Sequence, residues 1–507
     1  MKILKNKFAA LVAGVFMLSA CQPFSEYENN PNSASQGQVP PTLLLNTIIK
    51  NTLGCYRPLI GVQCGWSQYI ASISAQQGDL EFQGYLGGEA GLTYHIMRDV
   101  EAMEFEADRV NSPAYKGVGN FFKAWNYIDM TMQMGDVPMT EAMKGQSEAN
   151  FTPKYDTQKQ VFQNCLSMLE EANSILAQAA QEKVSLGSGD LIFNGDVAQW
   201  QKAVNALRLR TLINLSKRSD DADLKIKEQF AEIVNNPTKY PLFSSNTDNV
   251  TYRWYDIEDN RYLWFYLKAN VDYYRIGNTY YDLIKKYNDP RISVIAERTK
   301  VAQDANPDNS NFDVNEYGGV NSNDLYDAIY ATREQASTFN REYYCTPVGE
   351  PMILLGYSEQ CFNIAEAINL GWIEGDADAY YKAGIRASME SYNLDEAVIS
   401  DYINSPAVAY NNDLEQILNQ KYISFFNNSG WEPFYNMRRT GVPAYQIGSN
   451  MSNPSGKVPV RWRYPRAEYQ TNEANVKEAI KRQYDGSDDV DDVMSVSYTH
   501  LRAHETS

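Results

Sequence analysis

Histidine is the scarcest chemical resource in this 507-residue chain. There are three, His95, His500 and His504. A Ser-His-Asp arrangement outside the last eight residues would have to use His95, which stands isolated. Gly-x-Ser-x-Gly, His-Glu-x-x-His, phosphate-cradling loops and the dinucleotide fingerprint are all missing, so the usual signatures of hydrolase, metalloprotease and nucleotide chemistry have no residues to act through. Positive charge is short as well. With 45 Lys and Arg against 63 Asp and Glu the formal charge is −18. No basic patch offsets it, which argues against nucleic acid and against electrostatic docking on anionic lipid. Cysteine is sparse, at six. Their spacings include no Cys-x-x-Cys and do not suggest zinc. No apolar run reaches membrane-spanning length.

The first forty residues carry a different message. Lys2, Lys5 and Lys7 form a basic region, Phe8 to Met17 an apolar run too short to span a bilayer, and Leu18-Ser19-Ala20-Cys21 places small residues before a cysteine. This reads as a secretory signal peptide over residues 1–20, with Cys21 as a lipobox cysteine acylated after cleavage. Several acyl chains on one residue anchor stably, where a single chain binds marginally. Losing the three lysines brings the formal charge to about −21. Gln22 to Pro41 is rich in Asn, Ser, Gln and Pro and cannot bury a core, so residues 21–40 read as a lipidated, flexible tether. At the other end, Val496 to Thr506 (VSYTHLRAHET) resembles the translation of a transposase-type sequencing adaptor. Residues 495–507 are therefore set apart as non-native, which leaves His95 the only native histidine.

Between these ends the chain reads mainly as helix, in one domain over 41–494. Asn120 to Met134 has apolar residues every three or four positions and stops at Gly135-Asp136-Val137-Pro138. Thr157 to Ala180 puts Val161, Cys165, Leu166, Leu169, Ala172 and Leu176 on one face. Asp196 to Ser216 carries a stripe of Trp200, Val204, Leu207 and Leu215, interrupted by Thr211. Further helices are expected over Met352–Leu370, capped by Gly371, and over Asp376–Tyr392, Leu394–Asn404 and Asp413–Phe426. Paired antiparallel helices of this kind build helical-repeat scaffolds. Irregular excursions interrupt them: Asn235 to Asp282, dense in Tyr and Trp; Asp304 to Asn323; and Asn436 to Pro465. Asp304-x-Asn306-x-Asp308-x-Ser310 loosely resembles the start of a calcium loop, but Pro307 intrudes and the sixth position is Asn309; it reads as a plain polar loop. Cys55/Cys64 and Cys345/Cys361 could each pair in an oxidising compartment, or remain buried thiols.

The most specific signal lies in Lys421 to Ala479. Arg438-Arg439-Thr440-Gly441-x-Pro443 and Arg461 through Tyr464-Pro465 to Glu468, Asn472 and Asn475 resemble the C-terminal signature of SusD/RagB-type proteins. These are surface lipoproteins that capture nutrients for TonB-dependent importers in Bacteroidetes. The resemblance continues, in order, through Asn29-Asn30-Pro31-Asn32, Gly135-Asp136-Val137-Pro138 with Glu141-Ala142, Trp200 to Arg210, Asp289-Pro290-Arg291, and Glu359 through Glu366 to Gly371-Trp372 and Gly384-Ile385. It is nearest the second-type SusD-like branch. It implies an all-α fold, a tetratricopeptide-like helical-repeat scaffold with long irregular loop insertions. Most of these residues read as structural: Arg438 and Arg439 as bidentate partners of buried carboxylates such as Glu366 or Glu468, Trp200 and Trp372 as core, and Asp289-Pro290 as a helix stop.

What the resemblance implies for function is a non-enzymatic lipoprotein, anchored at the outer membrane and facing outward. It would bind an oligosaccharide, or a peptide, and deliver it to a SusC-like TonB-dependent barrel, without a cofactor or a bound metal. The 36 tyrosines suit such work, each offering a flat apolar face with a polar tip. In the family the site is built from loops of the N-terminal third and the middle of the chain. Trp66 and Tyr69 are the candidates from the first region, and Trp254, Tyr255, Tyr262 and Trp264 from the second. Paired carboxylates are plentiful, so a surface polysaccharide hydrolase stays open as an alternative, beside a structural adhesin.

Overall fold

The computed structural model describes residues 37, 39–54, 61–73, 85, 88–494 and 496. The signal peptide, Cys21, nearly all of the tether, Cys55 and the adaptor-like tail except Val496 lie outside the described residues. The scaffold opens with α1 (Pro41–Thr52), the short α2 (Val62–Trp66) and the strand β1 (Ile70–Ser72). It continues with α3 (Tyr94–Arg109), α4 (Ala114–Met134), α5 (Gln158–Gln181), α6 (Val197–Asn214) and α7 (Ile226–Asn235). Each long helix packs on the next, α3 on α4, α4 on α5, α5 on α6, while α1 lies against α3.

The start of α5 shows why these helices begin where they do. Thr157 and Gln160 form a reciprocal capping box, each side chain bonding the other's backbone N–H. Asp196 caps α6 by accepting from Ala198 and Gln199. Between α4 and α5, Gly135 sits at φ +99°, where a Cβ would meet Gln483 Oε1 at 2.0 Å, so the turn requires glycine. Asp136 in the same turn accepts from the Gln158 N–H at 2.8 Å and from Arg482 Nε at 2.8 Å.

The second half holds the strand β2 (Val250–Tyr252), α8 (Leu263–Tyr266), β3 (Tyr274–Ile276), α9 (Asn278–Tyr287), α10 (Tyr326–Ala331) and α11 (Arg341–Tyr344). It then returns to helical pairs. After β4 (Met352–Leu355) come α12 (Tyr357–Asn369), α13 (Ala377–Ser391), α14 (Glu396–Ile403), α15 (Leu414–Ser424), α16 (Glu432–Thr440) and α17 (Glu473–Tyr484). Of two antiparallel two-stranded ribbons, β1–β3 ties the halves together and β2–β4 closes the excursion within the second half. Ile70, Ala71 and Ser72 face Ile276, Arg275 and Tyr274, and β2 pairs with β4.

Several expectations are corrected here. Met352–Leu370 is not one helix: Met-Ile-Leu-Leu is strand β4, and Gly356 turns the chain into α12. A short apolar run suits either state, and pairing with β2 decides it. The helix α16 runs on to Thr440, inside the stretch expected to be loop. The interruption of the α6 stripe by Thr211 also has a cause. α6 is buried almost all round, because α5 and α7 flank it and α12 lies across it. Its polar side chains find partners inside, Asn205 on Asn173, Arg210 on Glu359 and Asn214 on Glu432. Cys345 and Cys361 are unbridged thiols; Cys361 faces the core from α12 and Cys345 ends α11.

Candidate ligand-binding face

Burial separates the aromatic residues into two populations. Trp66, Tyr69, Tyr262 and Trp264 are each at most 1% exposed. Trp66 stacks on Trp462 with centroids 4.9 Å apart and meets Trp431 and Phe434 edge-on. Tyr69 donates to Tyr422 O at 2.6 Å, and Tyr422 donates back to Ser67 O at 2.7 Å. Tyr262 lies under Gly349, whose close backbone leaves no room even for a Cβ. Trp264 packs edge-on against Tyr274. These four side chains weld the N-terminal third and the middle excursion to the scaffold, and no ring face is open to a ligand. The structure thus places these four sequence candidates in the interior. An aromatic-rich irregular segment needs its own core, and its rings supply it.

The other population is on the surface. Among the described residues the exposed tyrosines are Tyr255, Tyr266, Tyr273 and Tyr330, at 44%, 53%, 44% and 42%. All four fall in the excursion between β2 and β4. Trp254 sits half-buried beside them, edge-on to Tyr252 and Tyr262. Of the expected site residues, Trp254 and Tyr255 therefore remain at the surface.

One buried and one exposed arginine hold this face in shape. Arg275, in β3, donates from Nε to Arg333 O at 2.9 Å and from Nη1 to Asp272 O at 2.6 Å, fixing the backbone on either side of Tyr273 to the segment bearing Tyr330. Arg341 reaches from α11 to Lys268 O at 3.0 Å and to the Asp272 carboxylate at 2.5 Å. The Tyr255 turn is closed by its own N–H on Asn260 O at 2.9 Å. Cations border the rings. Arg333 lies 4.0 Å over Tyr330, which stacks on Tyr326, and Arg261 lies 5.3 Å over Phe265. Tyr266, Tyr273, Tyr326, Tyr330 and Arg333 were not among the sequence candidates. Tyr326, Tyr330 and Arg333 stack on one another in the structure, but with the helix ending at Ala331 and the buried Ile329 at i+3 of Tyr326, helical spacing alone does not mark them as outward.

The chemistry this face offers is flat apolar surface with hydroxyl, guanidinium and carboxylate rims. Its carboxylates Asp256 and Asp272 are engaged by Arg261 and Arg341. Burial pushes Glu350 up to about 8 and Asp129 and Asp136 to about 6, and it also raises the more exposed Glu101 and Asp282. Among the described residues no group of three or more His, Cys, Asp and Glu converges on a point. A cavity beside β4, lined by Asn249, Glu359, Ser388 and Asn428, encloses about 20 Å³, water-sized and too small for a sugar ring. No described helix is long and apolar enough to cross a membrane.

The residues once read as motif have structural partners. Arg439 pairs with Glu366 at 2.5 Å as expected. Arg438 does not pair with a carboxylate; it caps Met132 O and Val460 O, while Glu468 accepts from Tyr155. Asp289 and Arg291 are both fully buried and bind each other, with Tyr402, Ser388 and Gln420 completing the cluster. Trp200 is fully buried and donates to Asp190, whereas Trp372 is half-buried against Phe230.

The family model described as starch-binding and associating with the outer membrane, SusD-like of the second type, matches residues 31–465. The chain belongs to the SusD-like family. A solved SusD homologue from Bacteroides fragilis is 30% identical, with 90% of this chain and 100% of that one aligned and a TM-score of 0.82. A Bacteroides vulgatus structure, described as an outer-membrane protein involved in nutrient binding, is 31% identical, with 90% and 100% covered and a TM-score of 0.80. A chitin-binding SusD homologue from Flavobacterium johnsoniae shares the fold at 17% identity, with 91% and 98% covered and a TM-score of 0.69. No curated protein matches the sequence. The helical, tetratricopeptide-like architecture of the SusD-like chain is thus that of its family.

Proposed function

We propose that this SusD-like protein is a non-enzymatic, lipid-anchored capture protein of the outer-membrane surface. In this reading its tyrosine face holds an oligosaccharide and presents it to a SusC-like TonB-dependent barrel. The observation that carries it is the segregation of exposed tyrosines to one excursion. A sugar ring lays its C–H face on an aromatic ring while nearby guanidinium, hydroxyl and carboxylate groups take its hydroxyls, and the rim of this face has all three. Family membership supports the membrane association, and the acylated Cys21 with its tether would supply the attachment. A peptide is the second ligand class such a surface accommodates.

Calorimetry with a panel of oligosaccharides and peptides tests the reading. A saturable ligand should bind without product formation, and Tyr266→Ala or Tyr330→Ala should weaken it roughly tenfold. Product formation, abolished by changing one acidic pair, would instead establish the hydrolase alternative. Release of Cys21→Ser protein from the membrane fraction, and co-purification of the unaltered lipoprotein with a neighbouring transporter, test the anchor and the partner.

A further inference from the structure

The face described above is not uniformly supported from beneath. Residues 318–337 leave and rejoin the ribbon at one place: Val320 donates to Ile276 O at 3.0 Å, Ile276 to Ser337 O at 3.0 Å, and Ser337 to Gly318 O at 2.9 Å. A Cβ on Gly318 would lie 1.9 Å from Gln335 O, so the two ends of the loop touch backbone to backbone. Residues 321–325 are then fastened to a neighbouring loop. Asn323 donates to Gln446 O at 2.7 Å, Asn450 to Asn323 O at 2.8 Å, and Leu325 to Ser449 Oγ at 3.0 Å.

Residues 326–336 have much less to hold them. Only Ile329 and Ala336 of this stretch are buried. They do not reach the main core; with Ala71, Ile73 and Val320 they form a separate apolar cluster of five side chains. Among the described residues, the further ties to the scaffold are Arg275 Nε on Arg333 O and the packing of residues 333–335 against the turn of helix at Lys300–Ala305. The same stretch carries Tyr326, Tyr330 and Arg333 as one outward column.

We propose that residues 326–336 open and close as a local unit, hinged at 318–325 and 337, and form a movable wall of the tyrosine face. A segment with two buried side chains, most of its amides bonded within its own turns, and a core separate from the main one sits at the low end of local stability. Opening withdraws Tyr330 and Arg333 from the ribbon that carries Tyr273, and closing brings them back. The use of this motion in ligand capture rests on the binding reading; the motion itself does not.

Native-state hydrogen exchange on the whole protein, followed over increasing denaturant, tests it without any ligand. The amides of Ala328, Ile329, Thr332 and Gln335 should exchange together, with little denaturant dependence, while those of α4 and α5 exchange only on global unfolding. Ile329→Ala should speed exchange of that group roughly tenfold or more and leave α4 and α5 unchanged. Exchange of residues 326–336 only with global unfolding, seen in the unaltered protein, would overturn the proposal and leave the binding reading intact. Absence of any ligand in the panel would count against the binding reading and leave the exchange result standing.

Discussion

At the scale of single residues, the interior is unusually ionic and its groups differ in what they contribute. Glu350 is 5% exposed and meets Asn427 and Tyr343, and among the described residues no cation pairs with it. Burial raises its carboxyl to about 8, the two hydrogen bonds pulling the other way. The folded protein therefore keeps Glu350 neutral where the unfolded chain is already ionised. Its contribution is fully present below about pH 4.5 and is lost as pH rises to about 8, at about 1.4 kcal/mol per pH unit, after which it is flat. Glu350→Gln should flatten that part of the profile and raise the urea midpoint at pH 8 but hardly at pH 5. Equal slopes for the two proteins between pH 5 and 8 would refute this. Glu366 is the opposite case. Burial would raise it, but Arg439 and Lys421 beside it bring it below the usual range. Removing it strands two buried cations, and Glu366→Ala should cost about 3–5 kcal/mol in urea unfolding at pH 7.

At the scale of elements, the calcium-like segment shows how a loop can satisfy itself. Arg298 donates to Asn306 O at 2.8 Å, to Ala302 O at 3.2 Å and to Asn309 O at 3.4 Å, and pairs with Glu316 at 2.5 Å. Asn309 also donates to Glu316 at 2.9 Å. The loop's backbone carbonyls and Glu316 face a guanidinium that belongs to the chain, while Asp304 pairs with Lys300. Millimolar calcium or a chelator should leave the melting temperature unmoved, whereas Arg298→Met should open residues 304–316 to proteolysis; protection of the native loop by calcium would contradict this. Elements of this kind also mark the limit of legibility. α5 and α13 were readable almost to the residue, because a periodic apolar face and an N-cap are local properties. β4 was not, since Met-Ile-Leu-Leu becomes a strand only by meeting β2, a hundred residues away in the chain. The burial of Trp66 and Trp264 was illegible for the same reason. An aromatic side chain has the same sequence signature whether it faces solvent or another ring, and only the partner settles which.

At the scale of the whole molecule, the C-terminal signature is the clasp that closes the fold. Trp462 stacks on Trp66, and its N–H donates to Gln133 O at 2.9 Å. Tyr464 donates to Asp136 O at 2.8 Å, Tyr484 to Met134 O at 2.9 Å and Arg438 to Met132 O at 2.8 Å. Four residues between 438 and 484 thus take up carbonyls at the end of α4 and in the turn after it, groups that a helix end leaves unpaired. The ordered motifs that identify the family are, physically, the two halves of this clasp: Gly135-Asp136-Val137-Pro138 on one side, Arg438 and Trp462-Arg-Tyr464 on the other. If that is their work, the N-terminal helices and the C-terminal helices should lose their structure together. Trp462→Ala removes a buried ring packed against Trp66, Trp431, Phe434 and Tyr435 and should cost about 3–5 kcal/mol. Calorimetry should show one main transition moved to lower temperature, with α3–α6 and α12–α16 melting as a unit. A variant that instead splits into two transitions, the first half of the chain keeping its own melting temperature, would mean that the two halves fold independently and that the clasp only joins them.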